Sequence, residues 1–203
     1  MCIVSSMKAS AAEMKQHILH TARPIIAGKG FAAVGLNQIL TAAGIPKGSF
    51  YYYFTSKDHF GEALLESYFV EYLEKLDSIL FQQKGAAADR LMNYWQAWEV
   101  TQNSQDAEFM CLAVKLGGEV SDLSEAMREA LRKGTTRIMD RLADCIEAGM
   151  ADGSIPAKLN AQQTGAQLYA LWVGASLLEK IHRDGHLFEI ALATTRQILH
   201  LAV

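Results

Sequence analysis

Apolar residues recur every three to four positions along most of the chain, the spacing that places them on one face of an α-helix. The clearest example follows Ser56, where the apolar positions are Phe60, Leu64, Leu65, Tyr68, Phe69, Tyr72, Leu73, Leu76 and Leu80. No segment shows the alternation of β-branched and polar residues that is typical of a half-buried strand. The pattern therefore predicts an all-α fold.

Glycine, proline and capping residues divide this pattern into helices. The predicted segments are 9–29, 36–43, 47–54, 57 to about 82, 86–101, 110–120, one from 122 or 124 to about 152, one from 161 to the Asp184–Gly185 turn, and 186–201. Pro24 lies inside the first segment, so we expect a kink or a break between His20 and Arg23. Residues 102–108 are predicted to form a polar loop.

Charge is distributed unevenly along the 203 residues. Residues 1–60 carry six Lys and Arg against two Asp and Glu, whereas the remainder carries 13 against 20, for a net charge of −3. A cationic head on an anionic body is typical of a protein that binds nucleic acid through one end. The alternative is chance variation in surface charge.

Other classes of protein find little support in the sequence. No apolar stretch approaches the roughly 18 residues of a membrane span, and the first ten residues do not form a secretory signal. Three widely separated cysteines, Cys2, Cys111 and Cys145, favour a reducing cytoplasm over a disulfide framework. We find no metal-ligand spacing, no cofactor motif and no catalytic motif, which argues against an enzyme. A helical adaptor stays open as a further alternative.

The segment Gly44 to Lys57, with the sequence GIPKGSFYYYFTSK, carries the strongest functional signal. A glycine after a short helix suits the tight turn of a helix-turn-helix motif. The helix that follows begins with small residues, which allows its N-terminus to enter the DNA major groove. Three successive tyrosines cannot all face one core, so at least one of them is exposed to solvent and available to DNA.

This segment, with Gly30–Phe31 before it, resembles the DNA-binding head of the TetR/AcrR family of transcriptional repressors. Segments 111–116, 119–124 and 168–175 resemble the branch of that family that senses reactive electrophiles. The resemblance implies a helix-turn-helix domain over residues 1–56 and a helical sensing and dimerisation domain over 57–203. It also implies a homodimer formed by the last two helices, which binds a palindromic operator in double-stranded DNA and is released by a small-molecule or electrophile inducer.

The resemblance carries DNA contacts onto this chain residue by residue. The candidates are Asn37, Lys47, Gly48, Ser49, Tyr51, Tyr52, Tyr53 and Lys57. Lys47 is expected to donate to guanine O6 or N7, and Lys57 to a phosphate. Phe50 and Phe54 are expected to pack in the core of the head.

Cys111 is the candidate sensor, with Lys115 and Lys180 as its cationic partners. It follows a polar loop and begins a helix, where the macrodipole favours a thiolate. Lys115 lies one helical turn further on, and Lys180 is a basic residue on an otherwise apolar helix that can stabilise the thiolate or capture its oxidised form. The opposing interpretation is that Cys111 is a small buried hydrophobe, as most free cysteines are.

A reversibly bound hydrophobic inducer is the alternative to covalent sensing. The candidates to line its pocket are Trp95, Trp98, Met110, Tyr169 and Trp172. Aromatic and methionine residues at helical spacing also occur as ordinary core, so this alternative stays open. In either mode, a shift in the sensing domain would change the spacing of the paired heads, which must enter major grooves about 34–36 Å apart.

Overall fold

The chain folds into α-helices throughout the part that is described, residues 10–103 and 111–201 of a computed structural model. Within those residues the helices are α1 (Ala11–Lys29), α2 (Leu36–Ala43), α3 (Lys47–Tyr53), α4 (Lys57–Asp77), α5 (Ala87–Asn103), α6 (Leu112–Leu123), α7 (Glu125–Asp152), α8 (Ala161–His182) and α9 (His186–Ile198). The described residues contain no strand. This confirms the predicted all-α fold.

Helices begin where the sequence offers capping side chains. The Ser56 hydroxyl accepts a hydrogen bond from the His59 amide at 3.0 Å, and the Asn160 side chain accepts one from the Gln163 amide at 2.9 Å. Ser124 caps α7 in the same manner. Each cap satisfies an amide that has no partner within its own helix, so the starts of α4, α7 and α8 fall where they were predicted.

Several details of the helices differ from the prediction. α5 ends at Asn103, inside the predicted polar loop, and α9 ends at Ile198. α1 continues through Pro24 without the expected break, because Ile18, Ala22 and Ile26 are fully buried and packing offsets the lost backbone hydrogen bond. α6 extends past residue 120 to Leu123. The predicted continuation of α4 to about residue 82 is present as a π-helical segment, Ser78–Gln82.

We refer to α1, α2 and α3 as the head and to α4 to α9 as the body. Within the body, α7 contacts α4, α5, α6 and α8. Close packing against α7 depends on glycine: a Cβ at Gly134 would overlap the Phe69 ring, and one at Gly165 would lie 3.0 Å from the Ala143 amide. α1 contacts both α4 and α6, so the head is joined to two helices of the body.

No helix among the described residues is both long enough and apolar enough to cross a lipid bilayer.

Candidate DNA-binding surface and sensing cavity

The turn between α2 and α3 has the geometry of a helix-turn-helix. Gly44 adopts a left-handed conformation (φ 65°, ψ 32°), and the Ile45 amide donates to the Leu40 carbonyl at 3.1 Å. Pro46 then precedes the first residue of α3. Glycine tolerates this positive φ at little cost, so the sequence reverses direction within three residues and presents the start of α3 to solvent.

An aromatic cluster fixes α3 on the head. Phe50, Phe54 and Phe60 are fully buried, with ring centroids 5.1 to 5.5 Å apart. The core positions predicted for Phe50 and Phe54 are confirmed. Burial of an aromatic side chain contributes about 1.5–3 kcal/mol, so this cluster holds the short helix α3 in place.

The remaining aromatic and polar residues of α3 face solvent to differing degrees. Tyr52 is 77% exposed and Tyr51 47%, whereas Tyr53 is half-buried against the core. Lys47 is exposed, and its Nζ lies 6.0 Å from the centroid of the Tyr51 ring. The expectation that at least one tyrosine is exposed to solvent is therefore confirmed by Tyr51 and Tyr52, and their contact with DNA stays a prediction. Among the other candidates, Asn37 and Gly48 are exposed and Ser49 is partly exposed.

Lys57 has a partner inside the protein. Its Nζ donates to the Phe31 carbonyl at 2.8 Å and lies 4.6 Å from the centroid of the Phe31 ring. Burial lowers the pKa of the Lys57 ammonium, against the opposing attraction of Glu119 and Asp58. A phosphate contact by Lys57 stays a prediction. A phosphate bound there would share the Lys57 ammonium with the Phe31 carbonyl.

A cavity of about 370 Å³ opens between α1, α4 and α5 and reaches Cys111. Its wall is mostly aromatic and apolar, with a charged side at Arg23, Glu71 and Lys75; the other lining residues are Tyr68, Tyr72, Leu76, Ile79, Tyr94, Ala97, Trp98, Thr101, Gln102 and Cys111. The volume lies within the range of small-molecule sites.

Cys111 is the residue immediately before α6 and is 2% exposed. Burial raises the pKa of its thiol, although backbone amides of Val114 and Ala113, the Tyr68 hydroxyl and the Lys180 charge all act to lower it. The expected low-pKa thiolate is therefore wrong for this state of the protein. The helix N-terminus does favour the anion, but desolvation outweighs it.

Lys180 is the cation that acts on Cys111. Its Nζ is buried and has no hydrogen-bond partner among the described residues. Burial lowers the pKa of the Lys180 ammonium and the charge of Lys115 lowers it further, whereas Cys111 raises it. Lys115 thus acts on the pKa of Lys180. Lys115 is not among the groups that mainly determine the pKa of the Cys111 thiol.

The aromatic residues proposed to line a pocket divide into two groups. Trp98 lines the cavity, and its indole N–H donates to the Ser176 hydroxyl at 2.8 Å. Trp95 and Trp172 stack with centroids 4.9 Å apart in the core between α5 and α8, and Tyr169 packs edge-on against Trp98. None of these three is among the residues that line this cavity, and all three are buried in the core, so a ligand contact by them stays a prediction. Met110 lies outside the described residues.

Tyrosine hydroxyls of the cavity wall were missed by the sequence analysis. The hydroxyls of Tyr72 and Tyr94 form a hydrogen bond of 2.6 Å, and the Tyr68 hydroxyl makes none of ordinary geometry within the described chain. Burial raises the pKa of all three phenols, so they stay protonated and can donate hydrogen bonds. Tyr68 and Tyr72 occur at helical spacing on α4, and this pattern was interpreted only as core.

An ion pair between the head and α4 was also missed. The Arg23 guanidinium donates to a Glu71 carboxylate oxygen at 2.6 Å, and the other oxygen lies 2.8 Å from His20 Nε2. Burial raises the pKa of the Glu71 carboxyl, but Arg23 and His20 outweigh it and leave the pKa below its ordinary value. The two residues are separated by 48 positions, so periodicity could not reveal the pair.

Comparison with known proteins finds family matches to two segments of the chain. Residues 18–64 match the model of the tetR family of bacterial regulatory proteins, and residues 87–195 match that of the tetracycline-repressor-like C-terminal domain. The Escherichia coli transcriptional repressor NemR is 37% identical over 188 residues, which is 92% of this chain and 94% of NemR. The repressor DhaR of a Mycobacterium species is 30% identical over 91% of this chain and 96% of its own.

A solved structure agrees with these matches over nearly the whole chain. The crystal structure of E. coli NemR in its reduced form superposes with a TM-score of 0.86 at 38% identity, covering 92% of this chain and 96% of that one. These relatives are transcriptional regulators. The chain is therefore a member of the TetR family of transcriptional repressors.

Proposed function

We propose that the protein is a cytoplasmic, homodimeric repressor that binds a palindromic operator and leaves it when an electrophile or oxidant reacts with Cys111. The observation that carries this proposal is the position of Cys111: its side chain is shielded from bulk solvent, yet it lines the 370 Å³ cavity. A small reagent that enters the cavity therefore comes next to Cys111.

Lys180 assists a reaction of Cys111 that passes through the thiolate, although burial acts against that form. Only the thiolate is strongly nucleophilic, and the buried Lys180 ammonium favours it. With a maleimide, the sulfur adds to the carbon–carbon double bond, a C–S bond forms, and the resulting carbanion takes up a proton. Nothing leaves, so the cavity gains the full volume of the reagent.

Oxidation is a second reaction that Cys111 and Lys180 can undergo together. Attack of the thiolate on hypochlorous acid forms an S–Cl bond and releases hydroxide. The Lys180 amine can then displace chloride and lose a proton, which forms an S–N bond. Burial lowers the pKa of Lys180 and so increases the fraction of neutral amine that this step requires.

Release from DNA would follow from a change in the spacing of the two heads. The cavity is bounded by α4, whose first residue, Lys57, follows the DNA-binding head. An adduct at Cys111 would displace α4 and α1, and paired heads that no longer lie about 34–36 Å apart cannot both enter the major groove. On this basis the unmodified protein binds DNA best.

The α3 surface supplies the DNA contacts in this proposal. Lys47, Tyr51 and Tyr52 are exposed beside one another, with Asn37 at the start of α2 as a further contact. A lysine and phenol hydroxyls can donate to base edges and phosphates.

An exposed apolar face on the last helices is the proposed dimer interface. Leu177, Leu178 and Ile181 of α8 are 54, 44 and 67% exposed, and Ile190 of α9 is 44% exposed. Apolar residues clustered on one helical face are typical of an interface between subunits. Pairing α8 and α9 with those of a second copy would bury this face in a four-helix arrangement.

A reversible inducer is the second candidate, and two unsatisfied polar atoms favour it. The Tyr68 hydroxyl and the Gln102 side-chain oxygen line the cavity and are buried, and neither makes a hydrogen bond of ordinary geometry within the described chain, although the Tyr68 hydroxyl acts on the Cys111 thiol. A small, mostly apolar ligand with one acceptor and one donor would satisfy both. Such a ligand requires no reaction at Cys111.

Fluorescence anisotropy of the reduced protein on labelled promoter DNA tests the proposal. N-ethylmaleimide should release the wild type but not Cys111→Ser. Cys145→Ser is the matched control, because Cys145 is also buried, and burial raises its thiol pKa to about 11. Binding that the reagent leaves unchanged would retain the repressor and favour the reversible inducer, and an absence of specific binding would refute the DNA-binding function.

A further inference from the structure

Glu119 of α6 is bonded to the turn that follows the first helix of the head. Its carboxylate accepts hydrogen bonds from the Phe31 amide at 3.2 Å and the Ala32 amide at 2.6 Å. Gly30 allows the approach: its φ is +93°, and a Cβ there would lie 2.9 Å from the Glu119 oxygen. Two consecutive amides therefore hold one carboxylate, and bonds to an ionised acceptor are stronger than neutral ones.

The same turn is held from its other side by α4. The Lys57 ammonium donates to the Phe31 carbonyl, and it is attracted to Glu119. The turn runs directly into Gly35 and α2, the first helix of the helix-turn-helix. Its position therefore helps to set where the helix-turn-helix lies relative to the body.

α6 connects Glu119 to the candidate sensor. Cys111 immediately precedes this helix, and its carbonyl accepts the first backbone bond, from the Lys115 amide at 3.0 Å. The eight residue steps from Cys111 to Glu119 span about 12 Å at 1.5 Å per residue. A displacement of the start of α6 is thus carried along one helix to the carboxylate that holds the head.

We propose that Glu119 is the residue that couples the sensing site to the DNA-binding head: modification of Cys111 shifts α6, and Glu119 transmits the shift to the turn at Phe31 and Ala32. The inference rests on the proposed sensing role of Cys111. A coupling role for Glu119 differs from a purely structural role, because coupling requires the contact of Glu119 with the turn to change between the DNA-binding and released states.

The experiment compares the wild type with Glu119→Ala, Glu119→Gln and the control Asp122→Asn. Asp122 is exposed on the same helix, so its variant removes the same charge outside the contact. Each protein is titrated onto promoter DNA before and after N-ethylmaleimide, and mass spectrometry verifies that Cys111 is fully modified. Modification should weaken wild-type and Asp122→Asn binding by about tenfold or more, a common magnitude of allosteric coupling.

Cys111 of Glu119→Ala should react with N-ethylmaleimide as fast as that of the wild type. After modification, Glu119→Ala should bind promoter DNA within about threefold of its affinity before modification. The loss of affinity in Glu119→Gln should lie between those of Glu119→Ala and the wild type. Release of Glu119→Ala equal to that of the wild type would overturn the inference while leaving the sensor intact. A wild type that stays on DNA after complete modification would overturn the sensor, and the coupling with it.

A second measurement covers the case in which the variants fail to fold or to bind DNA. Hydrogen exchange of the Phe31 and Ala32 amides in the wild type should accelerate after modification of Cys111, because the coupling requires their bonds to Glu119 to loosen. Protection that is unchanged in fully modified, released protein would overturn the inference.

Discussion

Lys180 and Cys111 interact inside the body of the protein, and each favours the charged form of the other. The Lys180 ammonium lowers the pKa of the Cys111 thiol, and Cys111 raises the pKa of Lys180, although burial acts against the charged form in both. Because the effect of burial is the larger one at Cys111, the thiol is mainly protonated at neutral pH, and its reactivity depends on groups such as Lys180 that favour the thiolate.

Removing the Lys180 charge should shift the pH dependence of Cys111 alkylation. In the wild type, the rate of reaction with iodoacetamide should rise with pH and reach its midpoint above the value of about 8.5 for an unperturbed cysteine. Lys180→Met should move the midpoint higher still, because the neutral side chain no longer favours the thiolate. Rates measured by mass spectrometry in a Cys2→Ser, Cys145→Ser background give the midpoint directly.

Lys115→Met is the matched control for that experiment. Its charge acts mainly on Lys180, so its effect on the Cys111 midpoint should be smaller. Lys180→Met should also fold at least as stably as the wild type, since it replaces a buried ammonium without a hydrogen bond by an apolar side chain. A midpoint that stays the same or falls in Lys180→Met would contradict the electrostatic role.

Glu71 should contribute to stability at neutral pH and lose that contribution in acid. Its pKa in the folded protein lies below the ordinary value, so the contribution is complete above the unfolded pKa of about 4.3 and disappears as the pH falls through the folded pKa. Urea unfolding at a series of acidic pH values should therefore show a shallower loss of stability for Glu71→Gln than for the wild type. Glu74→Gln, exposed on the same helix, should follow the wild type.

The sequence was sufficient to predict the helices and the helix-turn-helix, because caps, glycines and apolar periodicity are local signals. Ser56, Asn160 and Gly44 each mark an element boundary that the structure contains. Contacts between distant segments leave no such signal. The Arg23–Glu71 ion pair joins residues 48 positions apart, and the bond from the Phe31 amide to Glu119 joins residues 88 positions apart. The burial that raises the pKa of Cys111 likewise depends on the assembled fold.

The exposed residues of α3 should matter for DNA binding and little for folding. Tyr52→Ala removes a side chain that is 77% exposed, so the free energy of unfolding should change by no more than about 0.5 kcal/mol. Lys47→Ala should weaken operator binding by about 1–3 kcal/mol if it donates to a base, and its effect should depend on the operator sequence.

Lys84→Ala is the control for the head variants, since it removes the same charge from an exposed turn before α5. It should bind the operator as the wild type does, measured by anisotropy at fixed salt because phosphate contacts are salt-dependent. Full operator affinity in Lys47→Ala and Tyr52→Ala would show that α3 does not read DNA in the proposed manner.

Two glycine-to-alanine changes in the body should have opposite effects on stability. Gly134→Ala places a methyl group into the Phe69 ring, and overpacking of this kind costs about 1–3 kcal/mol. Gly118→Ala has open space around its Cβ in the middle of α6 and should stabilise the protein by about 0.5–1 kcal/mol. Thermal or urea unfolding of both variants measures the difference, and a stabilised Gly134→Ala would contradict the packing of α4 on α7.

A charge on the exposed face of α8 should separate the subunits. Ile181 is 67% exposed in the single chain, next to Leu177 and Leu178, so Ile181→Lys should leave the fold intact while burying an unpaired ammonium in the proposed interface. Light scattering should then report the mass of one chain where the wild type gives two. Val100→Lys is the control, because Val100 is 71% exposed on α5 and lies outside this face.

Operator affinity should fall together with dimer formation, since a palindromic site is bound tightly only when two linked heads occupy both half-sites. A monomeric Ile181→Lys that retained wild-type affinity would refute the dimeric mode of binding, and a dimeric Ile181→Lys would place the interface elsewhere.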